Sequence, residues 1–175
     1  MKRELRRIIG ALDNEGEETK GGGRMPGGAI AEIADSFFLP QDLVVAIIRV
    51  ESGGNPQAMR YEPGYLRHHV EQNPRRFGEV SSDTERIGRS MSWGPMLIVG
   101  QIARERGFQG TFFTELCDWE VGVEWGCRYL AWLKALHFDQ YGWDGVIRAY
   151  HTRLPLPTEE GRLYLEKIRA VWRLV

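Results

Sequence analysis

Cysteine is scarce in this sequence, and Cys117 and Cys127 are the only two among 175 residues. They lie ten positions apart in a segment that reads as helical, which would place them on different sides of a helix and roughly 15 Å apart. Geometry therefore excludes a disulfide between them. The histidines, at positions 68, 69, 137 and 151, lack the Cys/His spacing that is typical of a zinc site. We predict neither a structural metal nor a cofactor.

Long apolar runs and a strong net charge are also missing. No stretch approaches the ~20 apolar residues of a membrane-spanning helix, and the first residues, MKRELRRIIGALDNEGEE, have too short an apolar stretch for a secretory signal. The formal net charge of -1 gives no long-range attraction to nucleic acid. We expect a monomer that is made in the cytoplasm without a signal peptide, does not insert stably into membranes and does not bind nucleic acid.

Strand patterns are almost absent, and helical patterns dominate after an N-terminal region of different composition. Residues 1–28 contain EGEE and KGGGRMPGG, which favours a flexible arm or linker. Helical segments follow from Ala29, among them QDLVVAIIRVE, PMLIVGQIARERG, and two longer segments with Asp118 and Thr158 as N-caps. We predict one mainly α domain over residues 29–175, with at most a small β-hairpin in the 55–66 region.

One carboxylate, Glu51, ends the strongly apolar segment LPQDLVVAIIRVES and is followed by SGGNP, which cannot continue a helix. On a helix Glu51 shares a face with Val44, Ile47 and Ile48. Burial and the negative end of the helix dipole both disfavour the charged form, so we expect a raised pKa for Glu51. A carboxyl that is neutral near pH 7 can donate a proton, as a glycosidase general acid must. The alternative is an acid at a frayed helix end, exposed to water or paired with an arginine.

Four segments, read in order, resemble the lysozyme-like catalytic domains of soluble lytic transglycosylases, particularly those of phages and prophages, which are related to goose-type lysozyme. They are IIRVESGGNPQA, RYEPGYL, SMSWGPMLIVGQIARERG and GVIRAYHT, followed by a closing YLEKI helix. The resemblance implies a lysozyme-like helical domain with a small β-hairpin beside the active-site cleft. It further implies binding of peptidoglycan glycan strands at the bacterial cell wall, which the protein would reach by phage lysis or virion-associated delivery.

The resemblance also implies the reaction, which is cleavage of the β-1,4 bond between N-acetylmuramic acid and N-acetylglucosamine with formation of 1,6-anhydro ends. Glu51 matches the family's single acid/base, which makes a second catalytic carboxylate unnecessary, unlike in the usual paired-acid glycosidases. Tyr150 matches the tyrosine of the family's AYN motif, whose hydroxyl is expected to hydrogen-bond the acid. Core packing is the alternative role for Tyr150.

Further residues of the matched segments are candidates for substrate binding. Ser52 matches the serine of the family's ES pair and is expected near the N-acetyl group, although it is equally consistent with a backbone-bonding helix end. Ser92 and Met96 belong to an SxGxM segment in which Met96 is a candidate for the cleft wall or for packing. Aromatic side chains outside long helices are candidates for stacking on sugars: Tyr61, Tyr65 and Trp93. The tryptophans with helical spacing are predicted to lie in the core: Trp119, Trp125, Trp132 and Trp172.

Two departures from the family's motifs are plain. GPML stands in place of GLMQ, so that Leu97 replaces the glutamine, and AYHTR stands in place of AYNAG, so that His151 replaces the asparagine in the substrate site. Glu62, in RYEPGY, is the best second carboxylate, and an ion pair with Arg60 or Arg67 is its alternative role. Two other functions remain open: a hydrolytic muramidase that uses a second carboxylate, and a noncatalytic glycan-binding or virion structural module.

Overall fold

The computed structural model describes residues 27–72 and 81–172. The predicted N-terminal arm, residues 1–28, lies outside the described residues except for Gly27 and Gly28, which belong to the helix Gly27–Ser36. The predicted domain therefore begins at the third residue of this helix.

The described residues form a mainly α-helical fold with a small antiparallel sheet, which confirms the predicted fold class. The α-helices are α1 (Gly27–Ser36), α2 (Gln41–Ser52), α3 (Pro63–Tyr65), α4 (Ser82–Arg89), α5 (Gly100–Glu105), α6 (Trp119–Thr152) and α7 (Glu159–Trp172). A π-helical turn, Leu66–Val70, continues α3, and a 3-10 helix, Phe113–Cys117, precedes α6. The strands are β1 (Met59–Tyr61), β2 (Met91–Trp93) and β3 (Ile98–Val99).

The sheet differs from the predicted hairpin in where its strands lie. Only β1 falls in the 55–66 region, and it pairs with β2, with Arg60 opposite Ser92, while β2 and β3 form the hairpin. The helical prediction for the start of PMLIVGQIARERG was wrong, because residues 94–97 form a turn and Ile98–Val99 is a strand. Within this turn Gly94 and Leu97 have positive φ, 76° and 45°. A side chain at position 94 would also place its Cβ 1.9 Å from the Leu116 carbonyl oxygen, so this turn needs glycine.

Helix α2 has the buried stripe that its sequence predicts. Val44, Ile47 and Ile48 are fully buried, and the helix packs against α1 and α7. It ends at Ser52 because Gly53 adopts a left-handed conformation, with φ of 64°, and donates its N–H to the Arg49 carbonyl. Glu51 is thereby fixed in the last turn of α2, facing the C-terminal helix.

The two longest helices begin at the predicted caps. The Asp118 carboxylate accepts the N–H groups of Glu120 and Val121 at the start of α6, and the Thr158 hydroxyl accepts the Gly161 N–H at the start of α7. Helix α6 is broken at Gly142, whose φ of 58° and ψ of -165° are not helical. Within the described ranges, no helix combines the length and apolar content that crossing a bilayer requires.

A buried ion pair, which the sequence patterns did not reveal, joins α4 to α5. The Arg104 guanidinium donates to both oxygens of Glu85 at 2.9 and 3.0 Å, and also to the Phe108 and Gly110 carbonyls. Both side chains are almost completely inaccessible to solvent. This pair links the two helices that flank β2 and β3 in the chain.

The tryptophan and cysteine predictions are mostly confirmed. Trp119, Trp125 and Trp172 pack against the core, and both cysteines are free and buried. Trp132 was wrongly predicted to lie in the core, since it is 40% exposed. The Arg106 guanidinium covers its ring at 4.1 Å from the centroid, a contact that a pattern of apolar spacing does not reveal.

Candidate active site

Glu51 lies where two cavities adjoin. The larger has a volume of about 430 Å³ and the smaller about 240 Å³. Four residues line both cavities: Glu51, Arg60, His151 and Glu160. The two cavities therefore adjoin at these residues and form one groove, referred to below as the cleft, that passes the Glu51 carboxyl group.

The surroundings of Glu51 favour its protonated form. The residue is half-buried, and desolvation by burial raises the pKa of Glu51 from its ordinary 4.5 to about 6. The Tyr164 hydroxyl and the charges of Arg60 and Lys167 lower this pKa, and the nearby Glu62 raises it further. The balance agrees with the raised pKa expected from the sequence, and burial is the main cause.

The hydrogen-bond partner of Glu51 is Tyr164, whereas the resemblance assigned this contact to Tyr150. Tyr164 in α7 donates its hydroxyl to Glu51 Oε1 at 2.7 Å. Tyr150 in α6 is buried and lines the larger cavity, but its hydroxyl donates to the Met96 carbonyl at 2.8 Å. Helix α7 packs on α2, so a tyrosine on the buried face of α7 reaches the end of α2. The sequence signal that could have indicated this contact was Tyr164 itself, a single tyrosine on the apolar face of the helix that contains YLEKI.

His151 connects to this pair through Tyr164. Its ring stacks on the Tyr164 ring at 4.4 Å with an interplanar angle of 6°, and its Nε2 lies 3.1 Å from Glu160 Oε1. Burial lowers the pKa of His151, while the Glu160 carboxylate opposes that shift. The histidine at position 151 thus places a titratable ring against the tyrosine that bonds Glu51.

Glu62 lines the same cleft but is held in an ion pair. Arg60 Nε donates to Glu62 Oε1, and the Ser92 hydroxyl lies 3.4 Å from the same oxygen. Both ion-pair partners are partly exposed, with side-chain accessibilities of 53% for Arg60 and 30% for Glu62. The predicted alternative role for Glu62 is therefore the one observed, with Arg60 rather than Arg67 as partner. Ser92 faces the cleft beside it.

The three aromatic candidates for sugar stacking have different positions. Tyr65 is half-buried and lines the larger cavity, while Tyr61 is 47% exposed on β1 and lines neither cavity. Trp93 was wrongly predicted as a stacking residue, because it is buried against Phe113 and donates its indole N–H to the Gly88 carbonyl. Its place in the central strand of the sheet turns it into the core.

Ser52 and Met96 have the structural roles that the sequence left as alternatives. The Ser52 hydroxyl donates to the Ile48 carbonyl at 3.0 Å and accepts the Gly54 N–H at 3.2 Å, which ends α2. Met96 is fully buried and lines neither cavity. It contributes to the site only through the carbonyl that holds Tyr150.

No family model matches this chain, and neither a curated protein nor a solved structure matches it. The functional argument therefore depends on the geometry of the cleft. In the part of the chain that the structure describes, no three His, Cys, Asp or Glu side chains are grouped to hold a metal ion. Glu51, whose pKa is raised to about 6, lines both cavities of the cleft.

Proposed function

We propose that the protein is a peptidoglycan lytic transglycosylase in which Glu51 is the single acid/base. The observation that carries this proposal is the position of Glu51 between two adjoining cavities, with burial raising its pKa to about 6. A polymeric glycan has to extend past the acid on both sides, because the bond to be broken lies between two sugars. The order of the matched sequence segments supports the same function.

The chemistry needs one carboxyl group in two protonation states. Protonated Glu51 gives its proton to the glycosidic oxygen as the bond from that oxygen to the muramoyl C1 breaks. The resulting carboxylate takes the proton of the muramoyl 6-hydroxyl, whose oxygen bonds to C1 and closes the 1,6-anhydro ring. Glu51 is then protonated again. Since the Tyr164 hydroxyl occupies Oε1, Oε2 is the oxygen that carries the transferred proton.

Tyr164 stabilises the carboxylate that exists between the two steps. Its hydrogen bond lowers the pKa of Glu51 and so opposes the effect of burial. Burial alone would hold the proton more firmly and weaken proton transfer to the glycosidic oxygen. The combination keeps the pKa close to the pH at which both the acid and the base are needed.

Hydrolysis by a muramidase mechanism is the second candidate, and Glu62 is the observation that favours it. Its carboxylate lines the cleft that contains Glu51, where a second acid would direct water. The Arg60 guanidinium already holds this carboxylate in an ion pair, which favours the transglycosylase reaction, since that reaction needs no second carboxylate. The noncatalytic glycan-binding or virion structural module, proposed from the sequence as an alternative of another class, predicts binding without cleavage.

Mass spectrometry of muropeptides released from purified sacculi tests these functions together. We expect the wild type to release fragments with 1,6-anhydro ends, Glu51→Gln to release none above background, and Glu62→Gln to retain the anhydro product. Fragments with reducing ends that take oxygen from labelled water would show a muramidase. Equal release by wild type and Glu51→Gln would remove Glu51 from the chemistry, and binding to sacculi without any release would show the noncatalytic module.

A further inference from the structure

Arg153 has a backbone conformation that favours glycine. It ends α6 with φ of 62° and ψ of 8°, in the left-handed region, and donates its N–H to the Ala149 carbonyl. Helices commonly end in this way with glycine, since other side chains are strained there. In AYHTR, Arg153 stands at the position of the glycine in the AYNAG motif described above. A charged side chain thus occupies a position at which the backbone disfavours any side chain.

The Arg153 side chain belongs to an aromatic cluster at the larger cavity. Its guanidinium carbon lies 4.4 Å from the centroid of the Tyr65 ring, and the Tyr65 ring lies 4.6 Å from the ring of His69. All three residues line the cavity, together with His68. The Arg153 side chain also hydrogen-bonds Tyr65, and stacking on an aromatic face leaves the remaining N–H groups of a guanidinium at its edge.

The carboxylates that line the larger cavity each have a partner other than Arg153. Glu62 is paired with Arg60, Glu160 with His151, and Glu51 accepts the Tyr164 hydroxyl. Over residues 27–72 and 81–172, no carboxylate lies within ion-pair distance of Arg153. Glu105 influences Tyr65 and His69 electrostatically but makes no ion pair with Arg153. The cavity therefore presents an oriented cation to whatever binds there.

We propose that Arg153, held by Tyr65, binds a carboxylate that the glycan substrate carries, namely an acidic group of a peptide attached to the sugar chain. This inference rests on the proposed function and specifies its substrate as peptide-bearing rather than peptide-free glycan. The guanidinium edge matches a carboxylate with two parallel hydrogen bonds. Backbone strain at a cleft residue is often retained where it serves binding, and Leu97, with φ of 45°, is a second strained residue in this cavity.

The test compares affinities for two preparations of peptide-bearing sacculus strands, one untreated and one in which carbodiimide coupling has converted the peptide carboxylates to methylamides. Binding is measured in the Glu51→Gln background, so that cleavage does not interfere. We expect Glu51→Gln to prefer the untreated strands, and the addition of Arg153→Gly to reduce that preference about tenfold, the order expected for a charge-assisted hydrogen bond. The addition of Arg153→Lys should retain part of the preference, and high salt should weaken it.

Thermal stability separates binding from a structural role for Arg153. Glycine removes the left-handed strain, so Arg153→Gly should have a Tm equal to or above that of its parent. A lower Tm with an unchanged preference would show that Arg153 only supports the helix end, which would overturn the proposal. Equal affinity of Glu51→Gln for the two preparations would also overturn it, while anhydro products from the wild type would still support the proposed function. If Glu51→Gln bound neither glycan preparation, both this proposal and the proposed function would be overturned.

Discussion

Replacement of Glu51 by glutamine tests the surroundings of the carboxyl group through the stability of the protein. Burial raises the pKa of Glu51 from 4.5 to about 6, so the folded protein holds this proton more tightly than the unfolded chain. One pKa unit is worth about 1.4 kcal/mol, and the whole rise corresponds to about 2 kcal/mol. Because Glu51 is only half-buried and water screens part of the effect, we expect the raised pKa to change the free energy of unfolding by about 1 to 2 kcal/mol.

The effect has a defined direction with pH. Below pH 4.5 the carboxyl is protonated in both the folded and the unfolded protein, and the stabilisation due to the raised pKa is fully present. As the pH rises, the unfolded chain ionises first, and the stabilisation is lost by the time the pH has passed through about 6. Above that pH the folded protein contains a desolvated carboxylate. Glutamine keeps the shape and an acceptor for Tyr164 without this charge.

We therefore expect Glu51→Gln to be more stable than the wild type by about 1 to 2 kcal/mol near pH 8, a rise in Tm of about 2 to 8 °C. Near pH 4 the two proteins should melt together. Scanning calorimetry across this range measures the difference, and Glu166→Gln, which removes an exposed glutamate of α7, controls for the loss of one negative charge. A difference in Tm between wild type and Glu51→Gln that stays constant with pH would refute the raised pKa of Glu51.

Three further predictions follow from contacts described above. If the proposed reaction is correct, the rate of muropeptide release should fall on the alkaline side around pH 6, because its first step needs protonated Glu51. A flat rate between about pH 5 and pH 9 would contradict this. Tyr164→Phe should move the alkaline limb of the pH–rate profile to higher pH, because it removes the hydrogen bond that lowers the pKa of Glu51. Tyr150→Phe should leave the alkaline limb of the pH–rate profile in place and lower the free energy of unfolding by about 1 to 2 kcal/mol. A shift of that limb in Tyr150→Phe and not in Tyr164→Phe would show that Tyr150 is the hydrogen-bond partner of Glu51. In urea denaturation, Arg104→Ala should lower the free energy of unfolding by about 3 to 5 kcal/mol, since it leaves the buried Glu85 carboxylate without its guanidinium partner; a loss below about 1 kcal/mol would show that the ion pair is dispensable.

The sequence predicted those features that depend on local spacing. The stripe of α2 and the position of Glu51 on it depend on helical periodicity within a dozen residues. The caps at Asp118 and Thr158 depend on one side chain and the next turn of backbone. Such features need no knowledge of the rest of the chain, and the raised pKa of Glu51 follows from them directly.

The remainder of the site depends on contacts between distant segments. Tyr164 and Glu51 are 113 residues apart, and nothing in the local pattern distinguishes Tyr164 from Tyr150 as the partner. Trp93 reads as an exposed aromatic until β2 is known to lie between β1 and β3. Leu97 illustrates a third limit, because its left-handed backbone is imposed by the β2–β3 turn on a residue that ordinarily avoids it.

The bond from α7 to Glu51 has a consequence for biosynthesis. Tyr164 is added to the growing chain 113 residues after Glu51. A nascent chain on the ribosome therefore contains α2 before it contains α7, the helix that packs against the Glu51 end of α2. Completion of the acid site thus coincides with docking of α7 rather than with the folding of α2. A polypeptide that is still being synthesised would lack the Tyr164 hydroxyl that bonds Glu51.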